Sequence, residues 1–343
     1  MGAVLLAALA VVLVRIAPQI VSSGSTLRRL RHGDAGWLAF GVGAEMLSIG
    51  GYILLFKGVF SCHGVRIGWR ASYEITMAGT VATRLSGAGG AGGLALTGWA
   101  LTASGLRPAT VAKRLVAFNV LLYFVYMVAL IVFGVLLGAG LISGPSPWSV
   151  TLLPAALAVV VIVLVLSMRL LPDDLERRLT SIAHGSRRGR KLLSRVATVP
   201  RALHDGGVVA LEQIRQGRPL LLGAPAYWAF DVLALWVGFK AFGATPPVAV
   251  VVMAYFVGTL ANVLPIPGGV GGVEGGMIGA FLAFGVSAPS AVLAVLTYRA
   301  LSFALPLLPG GVAYWQLRHT VAVWRERYGD DRAGPAGPQP APS

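Results

Sequence analysis

Five charged side chains lie inside otherwise apolar stretches of the chain: Arg84, Arg299, Glu274, Asp231 and Glu45. A charge within a membrane span costs roughly 2.5–3.5 kcal/mol on insertion scales, so each one marks a candidate substrate-binding residue. A guanidinium matches phosphate, and a carboxylate would balance that charge or receive a cationic group. Structural ion pairing is the alternative for all five. Snorkelling to the interface is a further alternative for Arg84, as helix capping is for Glu274.

Two glycine-rich runs interrupt the apolar stretches 72–105 and 247–286, and the second run also contains proline. Such backbone disfavours regular helix, and at membrane depth it is tolerated only when buried in protein or lining a wet cavity. Each stretch is therefore predicted to form a re-entrant helical hairpin. Its glycines would either present N–H groups to an anion or permit close packing. The predicted break residues are Gly89, Gly90, Gly92, Gly93, Pro265, Pro267, Gly268, Gly269, Gly271 and Gly272.

The two interrupted stretches resemble each other in sequence. Residues 79–93 align with residues 258–272 at an offset of 179, and eight of the fifteen positions are identical. The similarity predicts an internal repeat, with repeat one at about 35–141 and repeat two at about 219–317. Chance similarity between two runs of small residues is the alternative.

Other chemical motifs are weak. Cys62 and His63 have no partner cluster, so we expect no metal site, and no glycine run is followed by the Lys-Ser/Thr of a phosphate-binding loop. No acid, base and nucleophile have convincing spacing, so we expect no enzyme activity and no cofactor. Glu74 and Lys240 lie nearer the predicted membrane interfaces, and we expect both to be solvated.

The composition excludes a soluble monomer. Hydrophobic residues make up 56% of the 343 residues and charged residues only 12%, against about 25% charged in a typical soluble domain. The net charge of +15 fits the concentration of Lys and Arg in cytoplasmic loops, so we expect no nucleic-acid binding. With a single cysteine, the chain forms no intrachain disulfide.

The fold class predicted is an all-α polytopic membrane protein with about six full spans plus the two hairpins in an inverted repeat. A span needs about 20 apolar residues. A cleaved signal peptide is the alternative for the first span, but no basic segment precedes it. The predicted spans are 2–22, 35–57, 115–141, 149–170, 219–242 and 291–317.

Charge asymmetry predicts the topology. The linker 171–218 carries ten Lys/Arg and five acidic residues, which places it in the cytoplasm with both chain termini. The hairpins then open to opposite sides, within a single transmembrane domain at 1–328. The tail 329–343 is predicted to be disordered. Arg28, Arg29 and Arg31 would lie outside, against the rule.

The run Leu264-Pro-Ile-Pro-Gly-Gly-Val-Gly-Gly-Val-Glu274, followed by Tyr298-Arg299, resembles the lysylphosphatidylglycerol-synthase transmembrane family. The segment Tyr227-Trp-Ala-Phe-Asp231 also resembles stand-alone members of that family. The resemblance implies a flippase-like lipid translocator. Bifunctional members carry an aminoacyltransferase domain after the membrane half, whereas this sequence stops 26 residues past the last predicted span, so we expect no lipid synthesis from it.

These observations favour a translocator of a polar or lipid-linked headgroup in the bacterial inner membrane. The expected partners are membrane lipids: an anionic or aminoacylated phospholipid, or a polyprenyl-phosphate-linked lipid. Two other function classes stay open. One is a non-transporting membrane partner of a separate lipid synthase, and the other is a membrane transferase acting on a lipid-linked substrate. A homo-oligomer is also open.

Overall fold

A computed structural model describes residues 33–61, 67–85, 91–167, 205–263 and 271–329. Within these ranges the secondary structure is helical, without a strand. Four of the described helices are long and apolar enough to cross a membrane. The chain is therefore an all-helical membrane protein, as its composition predicts.

The first group of helices precedes the basic linker. Asp34 caps the first of them, and its carboxylate accepts from the N–H groups of Gly36 (2.8 Å) and Trp37 (3.1 Å). The helices are α1 (Ala35–Phe60), α2 (Trp69–Leu85), α3 (Ala91–Ala103), α4 (Pro108–Gly138) and α5 (Leu152–Ser167).

The second group follows the linker. A helix over 205–215 leads to a 3-10 turn, Pro219–Leu222, which runs directly into α6. A second 3-10 turn, Leu260–Val263, extends α7. The helices are α6 (Gly223–Ala241), α7 (Val248–Thr259), α8 (Gly272–Ala283) and α9 (Ala288–Gly329).

Four predicted spans coincide with the four helices of spanning length, α1, α4, α6 and α9. Within the predicted span 149–170, α5 covers the 16 residues Leu152–Ser167, and residues 168–170 lie outside the described residues. The prediction for 291–317 was too short, because α9 continues as one helix to Gly329. Residues 2–22, most of the linker and 330–343 lie outside the described residues.

Helices α1 and α6 pack together in antiparallel orientation at the centre of the molecule. Gly51 of α1 faces Tyr227, and a Cβ at Gly51 would lie 2.6 Å from the Tyr227 backbone nitrogen. Further along, Gly58 faces Leu220. The Ser48 hydroxyl donates to the Tyr227 carbonyl oxygen at 3.0 Å. Small residues therefore allow the two backbones to approach closely.

Each predicted hairpin contributes two helices that pack against each other, α2 with α3 and α7 with α8. A Cβ at Gly93 would lie 2.6 Å from the Gly79 carbonyl oxygen, and one at Gly258 would lie 2.5 Å from the Met277 nitrogen. Of the predicted break residues, Gly92 and Gly93 lie near the start of α3 and Gly272 is the first residue of α8. Close helix packing accounts for the small residue at Gly93.

Gly271 precedes α8 with φ of 86°, a conformation that favours glycine. The other predicted break residues, Gly89, Gly90, Pro265, Pro267, Gly268 and Gly269, lie outside the described residues.

Helix α9 is the longest helix described, with 42 residues, and it contains Pro306 and Pro309. Its N-terminal part packs against α6 and α8, whereas its middle packs against α2. At the α2 contact, a Cβ on Gly310 would lie 2.9 Å from the Met77 carbonyl oxygen. The helix thus connects the two hairpins.

Candidate functional site

A cavity of about 680 Å³ lies among the helices. All the numbered helices except α5 contribute to its lining, so both hairpins and both central helices form its wall. Four of the five candidate residues line it directly: Glu45, Arg84, Asp231 and Arg299. The fifth, Glu274, contacts Arg299. The structure thus gathers into one place side chains that lie far apart in the sequence.

The two cavity arginines meet at a single aromatic ring. The guanidinium carbon of Arg84 lies 4.8 Å from the Phe303 ring centroid, and that of Arg299 lies 4.5 Å from the same centroid. Arg84 also donates from Nη1 to the Phe303 carbonyl oxygen at 3.1 Å. Cation–π contact holds both positive charges beside the cavity.

The two carboxylate oxygens of Glu274 make two different contacts. Its Oε2 accepts from the Gly271 N–H at 2.7 Å, which caps the start of α8. Its Oε1 accepts from Arg299 Nε at 2.6 Å, and the two side chains are only 8% and 13% exposed. The capping and the arginine pairing considered for this residue are therefore both present. Removing either partner of such a buried pair would be strongly destabilising, because it would leave the other charge uncompensated.

Asp231 is bound by tyrosines rather than by an arginine. Its Oδ2 accepts from the Tyr298 hydroxyl at 2.9 Å and also from the Tyr255 hydroxyl. The Glu45 and Asp231 side chains lie within hydrogen-bonding reach of each other. Glu45 is 3% exposed, and its Oε2 has no hydrogen-bond partner among the described residues.

Sequence reasoning missed the aromatic part of this site. Tyr255, Tyr298 and Phe303 were not predicted as site residues, although they hold Asp231 and the two arginines. A usable signal exists for Tyr227, which also lines the cavity. It precedes Asp231 by four positions, so the two side chains share a helix face. Tyr255 offers no such spacing, because its helix is apolar throughout its sequence.

The expectation that Glu74 is solvated was wrong. Glu74 is fully buried, and its carboxylate accepts from Arg70 Nε at 2.8 Å and from the Thr320 hydroxyl at 2.6 Å. The reason is the length of α9, which continues past the predicted end at residue 317 and covers this part of α2. Lys240 is partly buried, with its ammonium 4.9 Å from the Trp236 ring centroid.

The described cavity wall carries groups that can bind charged and polar ligands. Its lining contains arginine, carboxyl, hydroxyl, amide and aromatic groups but no His, Cys or Lys. Within the described ranges, no group of three His, Cys, Asp or Glu side chains could hold a metal ion. The arrangement can hold an anion at its guanidinium groups and a proton or cation at its carboxyl groups.

Comparison with known proteins gives two curated relatives, both called "UPF0104 membrane protein" and both from Methanothermobacter thermautotrophicus. One match is 39% identical over 87 residues, which is 25% of this chain and 25% of the relative. The other is 26% identical over 190 residues, which is 52% of this chain and 54% of the relative. The chain thus spans between a quarter and about half the length of the curated relatives it matches.

No solved structure matches the chain. The family model described as "Lysylphosphatidylglycerol synthase TM region" matches residues 1–310. That range includes both hairpins, the charged cavity and the run ending at Glu274 that carries the resemblance in the sequence. The chain belongs to the lysylphosphatidylglycerol synthase TM region family.

Proposed function

We propose that this protein is a lipid translocase. A polar headgroup would cross the membrane through the cavity while its acyl chains stay in the lipid. The observation that carries the proposal is the cavity itself, in which buried arginines and carboxyl groups from both halves of the chain converge. Its volume of about 680 Å³ falls in the usual range of ligand sites, about 300–1,000 Å³.

The packing of the helices supports an inverted repeat. If α1 to α4 correspond to α6 to α9, then exchanging the two sets leaves the main contacts in place. The contact of α2 with α9 corresponds to that of α7 with α4, and the contact of α3 with α4 corresponds to that of α8 with α9. Helices α1 and α6 pack on each other in opposite directions, as two equivalent spans would across a two-fold axis.

Details at the α1–α6 contact agree with this repeat. Ser48 and Tyr227, which share a hydrogen bond, are separated by 179 positions, the offset that aligns the two glycine-rich runs. Gly79 and Gly258 are also equivalent at this offset, and each lies at the contact between the two helices of its own hairpin. We infer re-entrant hairpins that meet beside the cavity and open to opposite faces.

The charges indicate how a headgroup would be held. Arg84 of α2 and Arg299 of α9 both contact the Phe303 ring. They would bind a phosphate, because guanidinium groups match phosphate oxygens. Glu45 and Asp231 would face the cationic part of a zwitterionic or aminoacylated headgroup. Anionic, aminoacylated and polyprenyl-phosphate-linked lipids all share the phosphate. The membrane would be a bacterial inner membrane, with both termini and the basic linker in the cytoplasm.

The test is headgroup accessibility in proteoliposomes. Purified protein would be reconstituted with fluorescent phosphatidylglycerol, aminoacylated phosphatidylglycerol or a polyprenyl phosphate, and a membrane-impermeant quencher would be added outside. Arg84→Gln removes one proposed phosphate ligand. Arg327→Gln is the matched control, because Arg327 is exposed at the end of α9. Both variants would be checked for folding by thermal unfolding.

The expected result is that the wild-type protein and Arg327→Gln expose the protected label, whereas Arg84→Gln does so about tenfold more slowly or worse. The magnitude follows from the roughly 1.5–3 kcal/mol of a hydrogen bond to a charged group, at 1.4 kcal/mol per factor of ten. Folded wild-type protein that moves none of the three lipids would overturn the proposal and favour a non-transporting partner of a lipid synthase.

A further inference from the structure

Among the described residues, the charged groups of the cavity do not balance. Glu45, Asp231 and Glu274 supply three carboxyl groups, whereas Arg84 and Arg299 supply two guanidinium groups. The segments 86–90 and 264–270, which follow α2 and α7 in the chain, contain no charged side chain. With every one of the described groups ionised, they would leave an excess negative charge inside the membrane, where an unbalanced charge is costly.

Hydrogen bonds indicate which carboxyl group would relieve the excess charge. Both oxygens of Glu274 accept bonds, one from Arg299 and one from Gly271. Asp231 accepts from two tyrosine hydroxyls through one oxygen. Glu45, by contrast, is 97% buried. Its Oε2 has no hydrogen-bond partner among the described residues. Glu45 also lies within hydrogen-bonding reach of Asp231, and two carboxyl groups can share a hydrogen bond only when one of them carries a proton.

Charged and titratable side chains from several helices surround Glu45. Asp231 of α6 is its nearest acidic neighbour, and Arg84 of α2 and Arg299 of α9 are the cations that act on it. The hydroxyls of Tyr255 on α7 and Tyr298 on α9 are both directed at Asp231. On the remaining sides, Tyr227 of α6 and Tyr123 of α4 line the cavity, as does Tyr52 of α1.

We propose that Glu45 is the proton-binding site of this protein and couples headgroup movement to a proton gradient. The coupling, though not the proton site, rests on the proposed translocase function. When the cavity is empty, a proton on Glu45, shared with Asp231, neutralises the excess charge. When a headgroup with a net positive charge enters, such as an aminoacylated one whose amino groups outnumber its phosphate, it takes over that role, and the proton leaves to the side on which the cavity is open. The cavity thus holds one proton or one positive headgroup charge in turn.

A metal cation fits this position less well than a proton. A hard cation such as sodium requires several oxygen ligands, but the Oδ2 oxygen of Asp231 is engaged by tyrosine hydroxyls. A proton requires only the contact between the Glu45 and Asp231 carboxyl groups. Replacing sodium with potassium in every experiment below distinguishes a proton site from a sodium site.

The first experiment measures the proton directly and does not depend on transport. Infrared difference spectra of the protein in lipid nanodiscs, taken across a pH titration, report the C=O stretch of a protonated carboxyl group. We expect that band in the wild-type protein near neutral pH, its loss in Glu45→Gln, and its retention in Glu326→Gln. Glu326 is an exposed acid near the end of α9. Glu45→Asp keeps a carboxyl group and should shift the band without removing it, which covers failure of Glu45→Gln to fold.

A band that survives in folded Glu45→Gln, or that is absent from the wild-type protein, would overturn the proton site. The second experiment repeats the accessibility assay with a pH gradient imposed in each direction. We expect reversal of the gradient to change the initial rate several-fold in the wild-type protein but not in Glu45→Gln. A wild-type rate that responds to sodium and not to pH would overturn the coupling. If no lipid moves at all, the proposed function fails, whereas the infrared result still decides the proton site.

Discussion

Gly258 is the closest point of contact between the two helices of the second hairpin, and substituting alanine there tests the packing directly. A Cβ at this position would lie 2.5 Å from the Met277 nitrogen and 2.7 Å from its Cα, against 3.4–4 Å for an ordinary contact. The Met277 Cγ atom also obstructs this position and can move with its side chain, but the backbone nitrogen and Cα cannot, so no rotamer change relieves the whole overlap. Helices α7 and α8 would have to separate by about 1 Å, on the scale at which overpacking costs roughly 1–3 kcal/mol.

The intrinsic helix propensity of alanine offsets part of this cost, because replacing glycine within a helix gains up to about 1 kcal/mol. We therefore expect Gly258→Ala to lower the free energy of unfolding by about 1–2 kcal/mol, a factor of about ten in the unfolding equilibrium. Gly275→Ala is the matched control on α8, because a Cβ there meets nothing within 4 Å. It should be neutral or slightly more stable than the wild type.

The assay is unfolding in mixed micelles with an increasing fraction of denaturing detergent, followed by circular dichroism. The same variants would then enter the accessibility assay, since the α7–α8 spacing sets the positions of Tyr255 and Glu274. Equal stability of Gly258→Ala and Gly275→Ala would refute the reasoning. It would mean that the two helices are not held at the distance on which the geometry of the second hairpin depends.

Two further predictions concern hydrogen bonds to buried carboxylates. Tyr298→Phe removes a 2.9 Å donor to Asp231 and should reduce the free energy of unfolding by about 0.5–2 kcal/mol. The detergent titration would measure this, and unchanged stability would show that the bond contributes nothing. Thr320→Val removes a 2.6 Å donor to the fully buried Glu74 and should cost about 1–3 kcal/mol. Thr320→Ser keeps the hydroxyl, so a loss of stability in both variants would contradict the role of the bond.

Much of the architecture follows from the sequence because the membrane imposes strong constraints. Continuous apolar stretches of sufficient length predict α1, α4, α6 and α9, because a spanning backbone must satisfy its own hydrogen bonds. The same constraint makes buried charges costly. It therefore selects Arg84, Asp231 and Arg299, which the structure places in one cavity. These predictions depend on composition and on no knowledge of packing.

The details that escaped prediction depend on which face of a helix points inward. A helix that is apolar all round shows no hydrophobic stripe, so its sequence does not reveal its buried side. Tyr255 and Phe303 could not be assigned to the cavity for this reason. The burial of Glu74 had a different cause. It depends on Thr320, 246 positions away, beyond the point where the hydropathy of the last span falls.

The two prolines of α9 affect how that helix can bend. Proline has no N–H, so the carbonyl groups of Ser302 and Leu305 receive no helical hydrogen bond from Pro306 and Pro309. Helix α9 therefore resists bending least between the segment that carries Arg299 and the segment that packs on α2 at Gly310. Bending at this joint costs less than elsewhere in α9. A bend there would move α2 relative to α8 and would change the contact of Arg84 with Phe303, whereas the bond between Arg299 and Glu274 would be kept.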